Sequence, residues 1–258
     1  MAVGHSGVTV RSLRDGLLAP LAAIPQLASF PDTSIHAHII AAEAEVERLL
    51  GTRFGVTRFL PYRDAAEPPA PIDELHEYEP LYDWPGRIPG DGFPRLKPRV
   101  RPIVEVVSLS LSLPGAIISE FVVPLNWLRV DRLRHELLVA PSGGQAAYAL
   151  AYGQGMMNWR LPSTCRIEYR AGLDEAGLEQ WPQIQRLVEL KAVLKILPTA
   201  SMWLNPTALA SVSADGLSQS RNSGYVWKDM ADQFQAEADA LRDEVLNRWD
   251  GTFDLIVL

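Results

Sequence analysis

Residues 166–248 constrain the fold more than any other part of the chain, because they hold the clearest succession of regular elements. They read as a short alternating strand at 166–170, a turn closed by Gly172, a helix that begins at Pro182, a long polar loop, and a second helix that ends at Trp249. The side chains in this stretch suit packing and pairing, and none of them forms a catalytic pattern. We therefore expect these residues to build a packing core.

The composition restricts the class of protein. With 258 residues, of which 47% are hydrophobic and 21% charged, the chain is long enough to bury a core. No apolar run reaches the roughly 20 residues that a membrane-spanning helix needs, and no apolar signal core is predicted near the start. The single cysteine, Cys165, excludes an internal disulfide framework and suits a reducing compartment. A net charge of -7 argues against a protein that binds DNA through its phosphates.

The first part of the chain predicts an arm followed by a helix. Residues 1–31 mix Gly and Pro with Leu and Ala, and we interpret them as an N-terminal arm that is ordered by contact with something else. N-cap candidates at 32–34 and a stop at Gly51 bound a helix. We place Glu43 and its charged neighbours mostly off the apolar side, on a solvated or subunit-facing side. The predicted apolar stripe consists of Ile35, Ile39, Ala42, Val46 and Leu49.

The middle of the chain predicts β-structure beside a proline-rich insertion. The prolines of residues 65–98 exclude a regular element of any length, whereas their aromatic neighbours indicate a segment that packs against a neighbour. Alternation of apolar and polar residues predicts strands at 104–113 and 165–169. A hairpin is predicted from 127–130 and 136–139, with a polar turn between them.

Patterns that carry chemistry are weak in this sequence. His36 and His38 lie two apart on a predicted helix, so they point in different directions and do not form a metal-binding pair. Residues 4–7, Gly-His-Ser-Gly, lack the spacing of a nucleophile elbow. Cys165 is predicted to be a buried small hydrophobe. Because no phosphate-binding glycine loop, zinc spacing or dinucleotide fingerprint is present, we predict no catalysis, no metal site and no cofactor.

The apolar C-terminal segment after Gly251 suggests a docking role. Burial of its large side chains gains roughly 1.5–3 kcal/mol each, whereas ordering the backbone costs about 1–2 kcal/mol per residue. One copy therefore docks marginally, while many copies in a ring dock firmly. The alternative is a last strand in the chain's own sheet. The candidate docking residues are Trp249, Phe253, Leu255, Ile256, Val257 and Leu258.

Four stretches of the chain occur in an order that is typical of one protein family. The exit of the first helix at 51–54 reads Gly-Thr-Arg-Phe, and the strand at 167–172 ends in Tyr-Arg-Ala-Gly. Pro182 then begins a helix, and a Ser-rich loop with an Asp-Gly pair at 211–220 precedes the last helix. In these respects the chain resembles the head–tail connector (adaptor, or head-completion) proteins of long-tailed double-stranded DNA phages. Leu173 departs from the family pattern, in which an aromatic residue often follows Ala-Gly.

The resemblance implies a fold and a division of the chain. The expected fold is α+β with a mainly helical core of antiparallel long helices, a small antiparallel β-element, and long extended loops and arms. The expected divisions are an arm at 1–31, a connector core at 32–250 and a docking tail at 251–258. Within the core we expect insertions at 65–98 and 143–160.

The resemblance also implies a function and partners. It implies a ring, usually of twelve copies, at the head–tail interface in the neck of the virion, assembled in the host cytoplasm. The implied partners are the portal protein and the downstream connector or tail proteins, with genomic double-stranded DNA passing through the lumen without specific binding, and with no membrane. A mobile loop is expected to face the lumen or a neighbouring subunit, with the candidate residues Ser211, Ser213, Asp215, Gly216, Ser218 and Ser220.

Two alternatives to a non-enzymatic connector remain open. A DNA-binding packaging component with a helix–loop–helix core is the first, since the two predicted helices after Pro182 also fit such a motif. Binding to duplex DNA with a steep dependence on salt distinguishes it. An enzyme, such as a hydrolase of the host wall, is the second, and it requires a pocket with converging titratable groups.

Overall fold

The computed structural model divides the chain into two compact units. It describes residues 6–19, 30–62, 76–84, 94–112, 120–131, 134–140, 161–204, 213–214, 217–218 and 227–249. One unit, the sheet unit, comprises Met1–Gly4 and Gly51–Asp174. The other, the helical unit, comprises His5–Leu50 and Glu175–Leu258. The helical unit is therefore assembled from two segments that are far apart in sequence.

The sheet unit contains nine of the described strands and one short helix. The helix is a single 3-10 turn at Leu125–Trp127. The strands are β1 (Thr57–Pro61), β2 (His76–Glu79), β3 (Tyr82–Trp84), β4 (Arg95–Leu96), β5 (Ile103–Ser112), β6 (Glu120–Val122), β7 (Leu128–Asp131), β8 (Glu136–Val139) and β9 (Leu161–Ala171).

Strand β9 is the centre of the larger sheet. Its six strands follow the order β2-β1-β9-β5-β6, and β3 also pairs with β9. Strand β9 pairs antiparallel with β5 along one edge, and with β1 and β3 one after the other along the opposite edge. The pairing of β1 with β2 is parallel. A separate three-stranded sheet has the order β4-β8-β7 and contains the predicted hairpin, which is confirmed.

Aromatic and branched side chains fill the core of the sheet unit. Phe59 and Tyr169 stack with ring centroids 5.1 Å apart, and both are almost completely buried. Cys165 is buried in the same cluster, so the sequence prediction for this residue is confirmed. The core also includes Trp84, Leu96, Val100, Ile103, Leu109, Leu111, Val123, Trp127, Leu137, Val139, Ile167 and Ala171.

The helical unit is organised around one apolar helix. Its elements are α1 (Val10–Asp15), α2 (Asp32–Leu50), α3 (Glu175–Glu179), α4 (Pro182–Leu204), α5 (Lys228–Trp249) and a two-stranded ladder of β10 (Ser213–Ala214) and β11 (Leu217–Ser218). Helix α4 packs against both α2 and α5. It buries residues on several sides because it lies between them: Ile184, Leu187, Val188, Leu190, Ala192, Val193, Ile196, Leu197 and Ala200.

Ion pairs join α4 to its two neighbours. Glu45 of α2 accepts from Lys195 Nζ at 2.8 Å and from Lys191 Nζ at 3.3 Å. The hydrogen bond from Lys195 is the main reason that the pKa of Glu45 is lowered. On the other flank, Arg186 donates from Nε to Glu237 of α5 at 2.8 Å. These pairs are half exposed, so the apolar contacts of α4 contribute most of the packing energy.

The prediction of a mainly helical core with a small β-element is wrong. Strands form a six-stranded sheet, a three-stranded sheet and a two-stranded ladder within the described residues, so the fold is mixed. The long helices carry extended periodic patterns, and their bounds agree closely with prediction. The strands are mostly short, and β2, β3 and β4 lie between the prolines of the segment that was expected to contain no regular element.

Helix α2 differs from prediction at two positions. Leu49, expected in the apolar stripe, is 37% exposed, while Leu50 is buried in its place. Glu43, expected on the solvated side, is only 3% exposed. The reason is that Ser6 donates to Glu43 Oε1 from its backbone N–H at 2.7 Å and from its hydroxyl at 2.6 Å. These bonds tie the residues before α1 to α2.

Candidate functional site

Most of the predicted docking residues lie outside the described residues. This applies to Phe253, Leu255, Ile256, Val257 and Leu258. The same is true of Ser211, Asp215, Gly216 and Ser220 in the predicted mobile loop. Ser213 and Ser218 are described, and they face each other as a pair in the β10–β11 ladder. The docking and loop assignments of the undescribed residues therefore remain predictions.

Trp249 is the one candidate docking residue with a described side chain, and it lies inside the helical unit. It is 1% exposed. Its indole N–H donates to the Leu50 carbonyl at 2.8 Å, which gives a partner to a carbonyl at the C-terminal end of α2. Its ring meets Trp181 edge-on, with centroids 5.3 Å apart. Trp249 therefore serves the packing of its own unit, and the docking hypothesis depends on the residues beyond it.

Two of the four stretches that carry the family resemblance meet in the sheet unit. The Leu173 N–H donates to the Arg53 carbonyl at 2.8 Å, and the Gly55 N–H donates to the Leu173 carbonyl at 2.7 Å. Phe54 and Leu173 form a parallel bridge between these bonds. About 120 residues separate the two stretches in sequence. The Gly-x-Arg-Phe exit and the Ala-Gly strand end thus form one hydrogen-bonded structure.

Gly172 makes this approach possible. Its φ is +131°, a conformation that side-chain-bearing residues rarely adopt. A Cβ atom at this position would lie 2.3 Å from the Gly55 carbonyl oxygen and 3.0 Å from that of Arg53. The glycine that ends the motif is therefore required by the close contact of two backbones.

A buried acid in the sheet unit was not found by sequence reasoning. Glu79 is 4% exposed and accepts hydrogen bonds from the hydroxyls of Tyr82 and Tyr169. The Tyr82 oxygen in turn accepts from the Arg99 N–H at 2.8 Å. Burial raises the pKa of Glu79 in spite of the two tyrosine hydroxyls, which lower it. The only sequence signal was an acidic residue between aromatic residues in the proline-rich segment.

We expect Glu79→Gln to change how stability depends on pH. The pKa of Glu79 is higher in the folded chain than the ordinary value of 4.5, so the folded state holds this proton more tightly than the unfolded state. Its contribution to stability is therefore present at low pH and is lost as the pH rises through the folded-state pKa. Between pH 4.5 and pH 8, the free energy of unfolding of the wild type should fall relative to that of the variant.

Urea denaturation at a series of pH values measures this difference. Glu105→Gln, also in the sheet unit, controls for the loss of one negative charge, because the Glu105 side chain is 60% exposed and lies 3.8 Å from Arg170. If the free energies of unfolding of the wild type and of Glu79→Gln change in parallel with pH across this range, the raised pKa of Glu79 would be contradicted.

The polar face of the larger sheet carries an open cleft. Its volume is about 330 Å³, at the low end of the range for small-ligand pockets. Inside it, the Ser110 hydroxyl donates to Glu120 Oε1 at 2.7 Å. The cleft is lined by Pro61, Tyr62, Ser108, Ser110, Glu120, Arg166 and Glu168. Sequence reasoning did not find it, because its residues come from four strands.

The remaining candidates do not converge on a site. His36 is exposed and His38 half-buried on α2, in agreement with their predicted separation. Burial and the nearby Lys195 lower the pKa of His38. Burial raises the pKa of Cys165 to about 12, which leaves its thiol protonated and a poor nucleophile. Within the described ranges, no group of three or more His, Cys, Asp or Glu side chains is arranged to hold a metal ion.

None of the helices in the described part of the chain is long and apolar enough to cross a bilayer.

No protein-family model matches the chain, and no curated protein is similar enough to count as a match. Function must therefore be inferred from the chain's own residues, from their geometry and from the ordered motifs.

Proposed function

We propose that this chain is a structural head–tail connector of a tailed bacteriophage. In this role it forms a ring beneath the portal, continues the DNA channel, and provides the attachment site for tail or further connector proteins. Its described residues form a mixed fold with a six-stranded sheet, in place of the mainly helical core that the resemblance implied. The proposal assigns no catalytic residue.

The observation that carries the proposal is the pairing of Arg53–Gly55 with Gly172 and Leu173. Two motif matches that are distant in sequence, together with Gly55 and Leu173 that directly follow them, form one structure with two backbone hydrogen bonds and a glycine that tolerates no side chain. A third match, Pro182, begins a helix as the motif order requires. This supports treating the matches as parts of one structural pattern and not as unrelated coincidences.

The charge of the described surface also supports a channel component. Helix α5 carries six acidic and three basic residues, and only Ala238, Val245 and Trp249 of its length are buried. A ring that presents acidic surface to DNA repels the phosphates and lets the duplex slide. The exposed polar face of α5 is also available for contact with a neighbouring copy in a heterologous ring interface.

Particle averaging by electron microscopy tests the proposal directly. We expect the purified full chain, at high concentration or mixed with the portal protein of the same virus, to form closed rings with a central channel, most often of twelve copies. Mass photometry over a concentration series gives the copy number independently. A chain that stays monomeric at every concentration and also fails to bind portal would overturn the proposal.

A DNA-binding measurement separates the connector from its main alternative. We expect weak binding of duplex DNA at physiological salt. A DNA-binding packaging component would instead bind tightly at low salt, with a steep loss of affinity as salt is added.

A further inference from the structure

The polar face of the larger sheet follows a regular pattern of charges. Along β9, every second side chain lies on the same face, and these positions alternate in charge. Each is opposite a residue of β5 in the sheet register. The three opposed pairs are Arg166 with Ser110, Glu168 with Ser108, and Arg170 with Glu105.

Two of the three charges on β9 have a partner of opposite charge. Glu168 accepts from Arg58 Nε of the adjacent strand at 2.8 Å. Arg170 lies 3.8 Å from the Glu105 carboxylate. Each pair joins neighbouring strands, as cross-strand pairs of opposite charge do. Arginine and carboxylate therefore alternate along β9, and two of these charges are paired with an opposite charge on a neighbouring strand.

Arg166 interrupts this pattern. It faces Ser110, and among the described side chains no carboxylate lies within ion-pair distance of its guanidinium. Its Nε atom is buried and has no hydrogen-bond partner. A buried donor without an acceptor is unfavourable, and a charged one more so. The cleft of about 330 Å³ opens beside this residue.

The geometry points to a carboxylate-binding site in this cleft, with Arg166 as the anchor. The planar guanidinium offers parallel N–H donors that match the two oxygens of a carboxylate. The Ser108 hydroxyl, which also lines the cleft, is a further donor. The ligand class is a small monocarboxylic acid or the acidic side chain of a protein segment, since both present the same singly charged group.

The other charges in the cleft favour a monoanionic carboxylate over a phosphate. Glu120 and Glu168 both line the cleft, and they are engaged by the Ser110 hydroxyl and by Arg58 respectively. Their negative charges repel a doubly charged anion more strongly than a singly charged one. A carboxylate at Arg166 continues the alternation seen at Arg58–Glu168 and Arg170–Glu105. This inference does not depend on the proposed connector function.

An NMR titration of the full-length, isotope-labelled chain tests the site and separates the two ligand sources. The probes are butyrate, a blocked glutamate dipeptide, its glutamine counterpart, and inorganic phosphate. We expect both carboxylates to shift the backbone amide signals of Ser108, Ser110 and Arg166 in a saturable manner, with the glutamine probe and phosphate at least about tenfold weaker. Tighter binding of the blocked dipeptide than of butyrate assigns the site to a protein side chain, and the reverse order assigns it to a free acid.

Substitutions of Arg166 test its role as the anchor of the site. Arg166→Gln should weaken binding about tenfold or more, and Arg166→Lys, which keeps the charge and loses the paired donors, should be intermediate. Arg170→Gln is the matched control, because Arg170 lies on the same face of the same strand outside the cleft, and it should bind within about twofold of wild type. Circular dichroism confirms that each variant is folded. Equal binding by wild type and Arg166→Gln, equal binding of the glutamine probe, or signals that shift only elsewhere would overturn the proposal.

Discussion

Replacing Trp249 with alanine is expected to lower the free energy of unfolding of the helical unit by about 3–5 kcal/mol. The side chain is 1% exposed, meets Trp181 edge-on, and donates a hydrogen bond to the last carbonyl of α2. Truncation therefore leaves a cavity, removes an aromatic contact and leaves the Leu50 carbonyl without this donor. Urea denaturation followed by circular dichroism at 222 nm measures the loss, because α2, α4 and α5 dominate that signal.

Deletion of residues 252–258 is the matched comparison for Trp249. If these residues form a docking tail, the deletion should abolish portal binding and leave the denaturation curve unchanged, whereas Trp249→Ala should shift the curve strongly. A deletion that unfolds the protein would show that the tail belongs to the chain's own fold. A stable Trp249→Ala variant that loses portal binding would show that Trp249 belongs to the docking surface.

Gly172→Ala should destabilise the sheet unit by about 3 kcal/mol or more. The added Cβ would lie 2.3 Å from the Gly55 carbonyl oxygen, and φ at this position is +131°. Both obstacles concern backbone atoms, so a change of side-chain rotamer relieves neither. The two hydrogen bonds between Arg53–Gly55 and Leu173 must lengthen or break. Thermal unfolding, together with amide hydrogen exchange at Gly55 and Leu173, detects the change.

Gly177→Ala controls for the loss of a glycine. Gly177 lies in helix α3, where alanine has the higher helix propensity, so its stability should stay within about 1 kcal/mol of wild type. Similar losses in the two variants would contradict the steric explanation for Gly172. If Gly172→Ala also fails to form rings while Gly177→Ala forms them, the paired motif stretches are needed for assembly.

The sequence predicts the helices of this protein better than its sheet, for a physical reason. A helix of about 20 residues repeats its apolar pattern five or six times, so both ends of α2, the start of α4 and the end of α5 lie where the sequence predicts them. One of the two errors in α2 concerns Glu43, whose burial depends on donors supplied by Ser6, 37 residues away. No local pattern contains that information.

The sheet could be predicted only strand by strand. Alternation finds β5 and the hairpin of β7 and β8, but pairing between distant strands has no local signal. The parallel alignment of β1 with β2 and the central position of β9 are of this kind. The candidate cleft is hidden for the same reason, since Tyr62, Ser110, Glu120 and Arg166 belong to segments as much as about 100 residues apart. From the sequence alone, Arg166 is indistinguishable from an ordinary charged residue at the surface.

The helical unit is formed from His5–Leu50 and Glu175–Leu258, so the ribosome synthesises its two parts at different times. Helix α2 leaves the exit tunnel early, but its packing partner α4 begins at Pro182, about 130 residues later. At 5–20 residues per second, translation of that interval takes about 7 to 26 s. Throughout this time the apolar stripe of α2, from Ile35 to Leu50, has no native cover from α4. During this interval the exposed stripe is open to aggregation and to chaperone binding, until the residues after Pro182 have been made.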